Sequence, residues 1–343
     1  MTTGDDRAVA HLFERRPFNS PPVRAAWMRV LPWLLPAWFA FNTLSLLLYL
    51  TGVPSSFGFD ARLYRMAAQA WLAGEDPWAL TLFWDRLNPA ISYAGPPPTL
   101  IPFLVLAWVP ADVLVLAVAI AAGAVAMWTL RRLGLPVWWM LFPPLVQGIW
   151  VGNLNIFVIA LLVQGGSLAG GVTVMFKAYA AVPLALLGRW RALAAGAAIM
   201  VVTFPFLPWP QFIAQYPRIT AALATQAWGG VESAFPAPLL VVGGAVSLVL
   251  LGRRRAAWLA VPVLWPSTQL HYSVLALPAM APLLAFFAAM NEPGYMAFGV
   301  IVYTVWARRD LFLGRSRNAR TAARDEHPAQ AAGTTSDEVG QPG

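Results

Sequence analysis

Cysteine is absent from this 343-residue chain, and charged residues are scarce. The lack of cysteine excludes disulfide bonds, thiol nucleophiles and cysteine-ligated metal or haem sites. Only 11% of the residues are charged, whereas a soluble domain carries about 25%. The hydrophobic fraction is 59% and the mean hydropathy is +0.62. This composition predicts a protein that lies in a membrane.

Polar stretches long enough to form a soluble domain are also lacking, since apolar runs recur from residue 30 to residue 306. At about 20 residues per crossing, these runs predict roughly nine to eleven spans. The expected fold is all-α, a polytopic transmembrane helical bundle formed by residues 26–312. We expect residues 1–25 to be a cytoplasmic arm and residues 313–343 to be a disordered tail.

The net charge of +8 is distributed in a way that argues against nucleic acid as a partner. Arginines cluster in the short joints between apolar runs, and no basic face is interleaved with aromatic residues. Such joints are typical of the cytoplasmic side of a membrane protein. The N-terminus is therefore expected inside and residues 51–95 outside, as the first outer loop. Four acidic residues concentrate in this loop: Asp60, Glu75, Asp76 and Asp85.

The outer loop contains the segment FDARLYRMAAQAWLAGEDPW, residues 59–78, which has the pattern of an amphipathic helix. Apolar residues with helical spacing form one stripe: Leu63, Met66, Ala67, Ala70 and Trp71. We expect this helix to be able to lie on the outer surface of the bilayer, with Gly74 as its stop. Asp60 occupies the expected N-cap position. The alternative role for its carboxylate is that of a general base, and the two roles can coexist.

Lysine is nearly absent as well, because Lys177 in TVMFKAYAAVP is the only one in the chain. An unpaired lysine at the centre of a span costs about 2.5–3.5 kcal/mol. Its position therefore predicts a partner for the ammonium group. The two interpretations are a bound anionic ligand and a structural role, in which the side chain reaches the interface or pairs with a carbonyl.

Other polar residues near the apolar segments are candidates for substrate contacts. Asn153 and Asn155 either cap the helix that begins near Ile156 or bind substrate. His271, within PSTQLHY, is the only histidine of the membrane domain and is either structural or a substrate contact. Tyr64 is either a ligand contact or an interfacial tyrosine of the aromatic belt.

The remaining residues of the outer loop have weaker claims. Trp78 and Trp84 could stack on a ligand, and Asp85 is a second candidate for the general base. Glu75 and Asp76 are interpreted as solvated loop charges. The pattern of acidic residues and histidines predicts no metal site, and no cofactor is expected.

Four motifs, which cover about residues 55–195, are similar in order and spacing to those of a known enzyme family. They are Asp60 with Tyr64 and the later Gly74; Tyr93 before Pro96 and Pro97; Gly152, Asn153 and Asn155 in QGIWVGNLN; and Lys177 with Pro183, followed by Arg189, Trp190 and Arg191. The chain thereby resembles the GT-C superfamily of integral-membrane glycosyltransferases, most closely the bacterial glycosyltransferase family 87. Where that family has glutamine, this chain has Asn153, a shorter amide with the same donor and acceptor atoms.

The resemblance implies a GT-C type fold and an enzyme at the outer face of the plasma membrane. It implies transfer of a monosaccharide from a polyprenyl-phosphate donor to a glycan or glycolipid acceptor. Mannose is the sugar by family habit, with arabinofuranose as the alternative. Asp60 would be the general base of an inverting transfer, and Lys177 would hold the phosphate. Tyr64 would contact the sugar or the headgroup, and Trp78 and Trp84 could stack on the sugar. Two rivals are a transporter or lipid flippase and a catalytically silent membrane subunit.

Overall fold

The structure is a computed structural model that describes residues 21–53, 55–79, 81–83, 90–228 and 233–308. The α-helices are α1 Pro21–Thr51, α2 Phe59–Leu72, α3 Ile101–Leu106, α4 Ala111–Arg132, α5 Pro143–Val151, α6 Asn155–Gln164, α7 Ser167–Phe176, α8 Ala181–Leu186, α9 Trp190–Thr203, α10 Trp209–Trp228, α11 Pro238–Leu251, α12 Arg253–Leu264, α13 Pro282–Ala288 and α14 Tyr295–Ala307. Short 3₁₀ helices cover Pro77–Ala79, Pro97–Leu100, Val137–Leu141, Ala178–Ala180 and Leu270–Ala279.

Helices dominate the described residues, as the all-α prediction requires, with one small exception. Strands β1, Thr81–Phe83, and β2, Ala90–Ser92, form an antiparallel hairpin in the first outer loop. Helix α1 begins at Pro21, so the last residues of the expected arm are helical. The rest of that arm, the expected tail, Trp84 and Asp85 lie outside the described residues.

Two described helices are long and apolar enough to span a membrane: Pro32–Thr51, within α1, and Ala111–Arg132, which is α4. Helices α5 and α6 would form a third span together, although they are bent by 116°. The other apolar helices have 10–17 residues, so each is shorter than a full span of about 20 residues. The nine to eleven full-length spans expected from composition are therefore not present among the described helices. Large apolar side chains nevertheless remain exposed on these short helices, Leu239 at 87% and Val249 at 80% among them. Such a surface is typical of contact with lipid or with another protein.

The apolar segments 97–130 and 171–187 are each broken into shorter helices. Helix α3 ends at Leu106 and α4 begins at Ala111; likewise α7 ends at Phe176, one residue before Lys177. The Thr99 hydroxyl donates a hydrogen bond of 2.9 Å to the Met175 carbonyl in the last turn of α7. The end of this helix therefore has a partner for one of the carbonyls that a break leaves free.

Helix α2 begins two residues earlier than a cap at Asp60 would require, so the predicted cap is wrong. The N-cap residue is Gly58, in the left-handed conformation with φ of 68°, and Asp60 lies in the first turn. The predicted stop is confirmed, because the helix ends at Leu72 and Gly74 has φ of 78°. Since a cap at Asp60 is excluded, its carboxylate remains available for contacts elsewhere.

The apolar stripe of α2 packs inside the protein instead of lying on the bilayer surface. Leu63, Ala67 and Ala70 are at most 5% exposed. The first two belong to a core cluster that includes Phe103 of α3, Trp78 and Tyr93. The stripe therefore fixes one face of α2 against the protein.

Polar side chains of α2 attach its opposite face to the turn between α3 and α4. Arg65 Nε donates to the Val109 carbonyl at 2.8 Å, and Gln69 Nε2 donates to the Ala107 carbonyl at 3.0 Å. Arg62 forms an exposed ion pair with Asp112 at 3.2 Å. These contacts determine how α2 is rotated about its axis, and hence where Asp60 points.

Helices α7 and α9 pack closely through small residues. A Cβ atom built on Gly171 would lie 2.8 Å from the backbone nitrogen of Gly196, and one built on Gly170 would lie 2.5 Å from Ala192 Cβ. Small residues that let helix backbones approach are typical of helix packing in membranes. This packing fixes α7, whose C-terminal end carries Lys177.

By internal contacts the chain divides into a large unit, Met1–Ile301, and a short one, Val302–Gly343. The described part of the short unit is the end of α14 and one further residue. All residues of the site discussed below belong to the large unit.

Candidate functional site

A cavity of about 170 Å³ brings together five of the six predicted site residues: Asp60, Tyr64, Asn153, Lys177 and His271. They come from α2, from the turn between α5 and α6, from the end of α7 and from the 3₁₀ helix that begins at Leu270. Asn155 is fully buried and does not line the cavity. Residues far apart in the chain therefore form one site, as the interpretation of Asp60 and Lys177 as partners requires.

The position of Asp60 is fixed where the start of α2 meets the turn that follows α5. The Gly58 N–H donates to the Trp150 carbonyl at 2.8 Å, and the Trp150 indole donates to the Ser56 hydroxyl at 2.8 Å. Gly152 lies close to Ala61, since a Cβ atom built on this glycine would be 3.0 Å from Ala61 Cβ. This close approach holds the Asp60 backbone beside the residue after Gly152.

Asn153 is held by a glycine-terminated helix end. Gly152 adopts φ of 71°, and the Asn153 N–H donates back to the Gly148 carbonyl at 2.9 Å. This pattern is that of a Schellman motif, which needs a left-handed residue after the helix. The sequence pair Gly152–Asn153 thereby presents the amide side chain at a defined place.

Both interpretations of Asn153, as a cap and as a site residue, are compatible with its contacts. Its Oδ1 accepts a 2.8 Å hydrogen bond from the Asn155 backbone N–H at the start of α6. That contact identifies the oxygen of the amide, so the other terminus is the NH₂ group. The NH₂ group donates a hydrogen bond to Oδ2 of Asp60. One side chain thus caps α6 and orients the Asp60 carboxylate.

The surroundings of Asp60 change its affinity for a proton. Burial raises the pKa of the Asp60 carboxyl above its ordinary value of 3.8, while the Lys177 charge and the Asn153 hydrogen bond oppose that rise. A carboxylate with a raised pKa accepts a proton more readily than a solvated one does. Oδ1 of Asp60 has no hydrogen-bond partner among the described residues, so it can receive a proton from a ligand.

Lys177 extends its ammonium group over the ring of Tyr64, with Nζ 5.7 Å from the ring centroid. This geometry is a cation–π contact. The Tyr64 ring is itself stacked on Phe103, with centroids 4.9 Å apart. Within the described ranges, Lys177 Nζ has no ion pair or hydrogen bond. The ring of Tyr64, which is 5% exposed, therefore stabilises the ammonium group. The three N–H donors of Lys177 Nζ remain available for a ligand.

A second wall of the cavity escaped the sequence analysis. It comprises Trp265, Ser267, Gln269 and Tyr272, together with Tyr179 from the segment after Lys177. The Tyr179 ring lies 5.3 Å from that of Trp265 and 5.1 Å from that of Tyr272. The polar run STQLHY, residues 267–272, lies between two apolar stretches and indicates a polar site there. Only His271 of this run was predicted to contact substrate.

Asn155 holds Tyr179, one residue of this second wall, through a hydrogen bond. Its Oδ1 accepts a hydrogen bond from the Tyr179 hydroxyl, and the side chain is fully buried. The asparagine therefore positions a residue that lines the cavity, while its own side chain stays outside the lining.

Two residues predicted in the outer loop have structural contacts. Trp78 is fully buried, does not line the cavity, and donates from its indole to the Gly95 carbonyl at 3.0 Å. Asp76, interpreted as a solvated charge, accepts hydrogen bonds from the Trp78 N–H at 2.9 Å and from Gln215 Nε2 at 2.6 Å. That interpretation of Asp76 is wrong, because the carboxylate links the outer loop to α10; Glu75 is exposed as predicted.

The cavity combines a carboxylate that can take a proton with an ammonium group that can hold an anion. Among the described side chains, no group of three histidines or carboxylates could hold a metal ion. A site of this kind suits proton abstraction from a ligand next to a bound phosphate or carboxylate. Comparison of the chain with protein-family models, with curated proteins and with solved structures gives no match.

Proposed function

We propose that this protein is a polytopic membrane glycosyltransferase that moves a monosaccharide from a polyprenyl-phosphate donor to a glycan or glycolipid acceptor. The observation that carries the proposal is that Asp60 and Lys177 line one cavity. A base and a phosphate-binding cation are the two groups that such a transfer needs at the reacting bond. The family resemblance of the four motifs supports the same reaction.

In the proposed reaction Asp60 is the general base. Its free oxygen accepts the proton of an acceptor hydroxyl, and that hydroxyl oxygen forms the new bond to the anomeric carbon. The bond between the anomeric carbon and the phosphate oxygen breaks, and polyprenyl phosphate leaves with the electron pair. Attack opposite the leaving group inverts the configuration of the sugar. The raised pKa of Asp60 and its contact with Asn153 suit this role, because they give a basic carboxylate in one orientation.

Lys177 in this mechanism stabilises the phosphate as negative charge develops on it. An ammonium group in a site shielded from water is more effective at this than one in solution. A compact point charge on a flexible stem also suits a single phosphate. The position of Lys177 just after α7 stabilises the ammonium group itself, since carbonyls at a helix C-terminus favour a cation there.

The apolar surface and the long helices of the protein suit insertion into a membrane. The long apolar helices and the exposed apolar side chains suit a lipid environment for a lipid-linked donor. The arginine-rich joints support a cytoplasmic N-terminus under the positive-inside rule. Helix α2, which carries Asp60, then belongs to the first outer loop, and the cavity faces the exterior.

A transfer assay with purified protein in lipid nanodiscs tests the proposal. The substrates are a polyprenyl-phosphate sugar and a glycan acceptor, and the product is a new glycosidic bond. We expect Asp60→Asn to abolish transfer while donor binding persists. The matched control is Asp112→Asn, because that carboxylate is exposed and lies outside the cavity lining. Normal turnover by Asp60→Asn would contradict the proposal. Substrate counterflow in proteoliposomes without bond formation would favour a transporter.

A further inference from the structure

His271 is held in one protonation form by a single neighbour, Gln147. The His271 backbone N–H donates to Gln147 Oε1 at 3.0 Å, which identifies that atom as an oxygen. Ring atom Nδ1 lies 3.1 Å from the same oxygen. Because an amide oxygen only accepts hydrogen bonds, Nδ1 must carry a proton. In the neutral ring, Nε2 then carries a lone pair and is an acceptor.

Nε2 of His271 is buried and has no hydrogen-bond partner among the described residues. The histidine lines the cavity, whereas Gln147 does not. Since Gln147 occupies Nδ1, Nε2 is the ring nitrogen left to face a ligand. A buried acceptor without a donor is unfavourable, so this atom calls for a partner that the cavity receives from outside.

The missing partner must be a hydrogen-bond donor. A phosphate oxygen accepts hydrogen bonds and cannot satisfy a lone pair. Double protonation of the ring would permit a phosphate contact, but it would place a second positive charge in a buried site that already contains Lys177. A hydroxyl group meets the requirement, because it donates a proton and carries no charge.

The neighbours of His271 match a ligand with several hydroxyl groups. Trp265 and Tyr272 contribute aromatic surface to the same wall, and Ser267 and Gln269 contribute polar groups. The His271 and Tyr272 rings lie 5.2 Å apart, so the histidine is continuous with the aromatic surface. Apolar and aromatic walls with a few placed polar groups are typical of small-molecule sites that fix ligand orientation.

We infer that residues 265–272 form the subsite for the donor sugar, an inference that rests on the proposed function. In this subsite, His271 Nε2 accepts a hydrogen bond from one hydroxyl group of the sugar. The donor therefore binds in one orientation, with its phosphate at Lys177 and its sugar ring at the wall formed by residues 265–272. His271 is then a specificity-determining residue. A site built to hydrogen-bond a hydroxyl rejects analogues that lack it.

Binding of two lipids to protein in nanodiscs tests this assignment. One lipid is a polyprenyl-phosphate sugar and the other is polyprenyl phosphate without the sugar. We expect His271→Phe to weaken binding of the sugar lipid about tenfold, the usual effect of losing one good hydrogen bond. Binding of the bare lipid should not change. His271→Gln should restore part of the loss, since its amide oxygen can take the place of Nε2.

The two hypotheses fail in different ways in this experiment. Equal effects of His271→Phe on both lipids, or no effect on either, would overturn the sugar subsite while leaving Lys177 and Asp60 in their proposed roles. Failure of wild-type protein to bind the bare lipid, or binding that is insensitive to Lys177→Met, would overturn the proposed function instead.

A measurement on the wild-type chain covers the case in which the His271 variants do not fold. Nitrogen NMR of protein labelled in its three histidines reports the tautomer of each ring, with His11→Gln and His327→Gln assigning the other two. We expect an unprotonated Nε2 for His271, shifted by the sugar lipid and not by the bare lipid. A protonated Nε2, or an Nε2 chemical shift that does not change when the sugar lipid is added, would overturn the assignment.

Discussion

Asn153 donates a hydrogen bond to Asp60 across 93 residues of sequence, and its other terminus accepts one from the Asn155 N–H. The same side chain thus serves helix stability and the orientation of the proposed base. The two contacts use different atoms, so substitutions can separate them.

Asn153→Ser and Asn153→Ala form a pair that separates these effects. A serine hydroxyl can still accept from the backbone N–H two residues on, but it is too short to reach Asp60. We expect Asn153→Ala to be less stable than Asn153→Ser by about 1 kcal/mol, the value of a helix cap. Both variants should lose transfer alike, by about tenfold to a hundredfold, because both lose a hydrogen bond to a charged group. Thermal unfolding and initial rates of transfer measure the two quantities.

The interpretation of Asn153 would be wrong if transfer followed stability across this pair. Asn153→Gln tests the departure from the family pattern directly. Glutamine keeps both kinds of atom on a side chain longer by one methylene group, so it should retain more transfer than alanine does.

Lys177→Met should weaken binding of bare polyprenyl phosphate by about tenfold to a hundredfold, because a charged hydrogen bond to the phosphate is lost. Lys177→Arg should retain most of the affinity, since a guanidinium group also stacks on the Tyr64 ring. The control is Arg62→Met, which removes an arginine that pairs with Asp112 outside the cavity lining. Titration of the lipid into labelled protein gives the affinities. Unchanged binding by Lys177→Met would contradict the assignment of the cation.

The rate of transfer should rise with pH through the pKa of Asp60. Burial raises that pKa above 3.8 in the folded protein, against the opposing effects of Lys177 and Asn153. Ionised Asp60 is the active form, so the acid limb of the rate profile should lie at higher pH than for a solvated aspartate. Asn153→Ser removes one opposing effect and should move the limb to still higher pH. A limb at the ordinary aspartate pKa, or one that Asn153→Ser leaves in place, would contradict this account.

The same raised pKa makes a prediction for stability. A carboxyl whose pKa is higher in the folded than in the unfolded state holds its proton more tightly when folded. Its favourable contribution is complete below the unfolded pKa and is lost as the pH rises through the folded pKa. Asp60→Asn should therefore raise the unfolding temperature at neutral pH, and the gain should disappear in acid. The control Asp112→Asn should show no such gain, because that carboxylate is exposed.

Local patterns predicted the local features of this molecule well. The apolar stripe and Gly74 correctly predicted the course and the end of α2. The cap at Asp60 failed because the helix start depends on a long-range contact, between Gly58 and the Trp150 carbonyl. No spacing near residue 60 contains that information.

The cavity shows the same division between local and long-range information. Lys177 was identified because it is the only lysine and lies in an apolar segment, and Asp60 was identified from its place at the start of an amphipathic helix. Trp265 and Tyr179 are ordinary aromatic residues in a chain with 17 tryptophans and 8 tyrosines. Only packing distinguishes them, because their rings meet at 5.3 Å from segments more than 80 residues apart.

Gly152 offers the sharpest test of how the fold positions Asp60. It has φ of 71° and faces Ala61, whereas Gly134 has φ of 72° with nothing within 4 Å of a built Cβ atom. Alanine at either position should cost about 1 kcal/mol or more, since both need a left-handed backbone. Only Gly152→Ala also pushes against α2, and that shift separates Asn153 from Asp60. We therefore expect it to be the less stable variant and to lose transfer, while Gly134→Ala keeps transfer. Equal loss of transfer in the two variants would mean that backbone strain, and not the contact with Ala61, explains the effect.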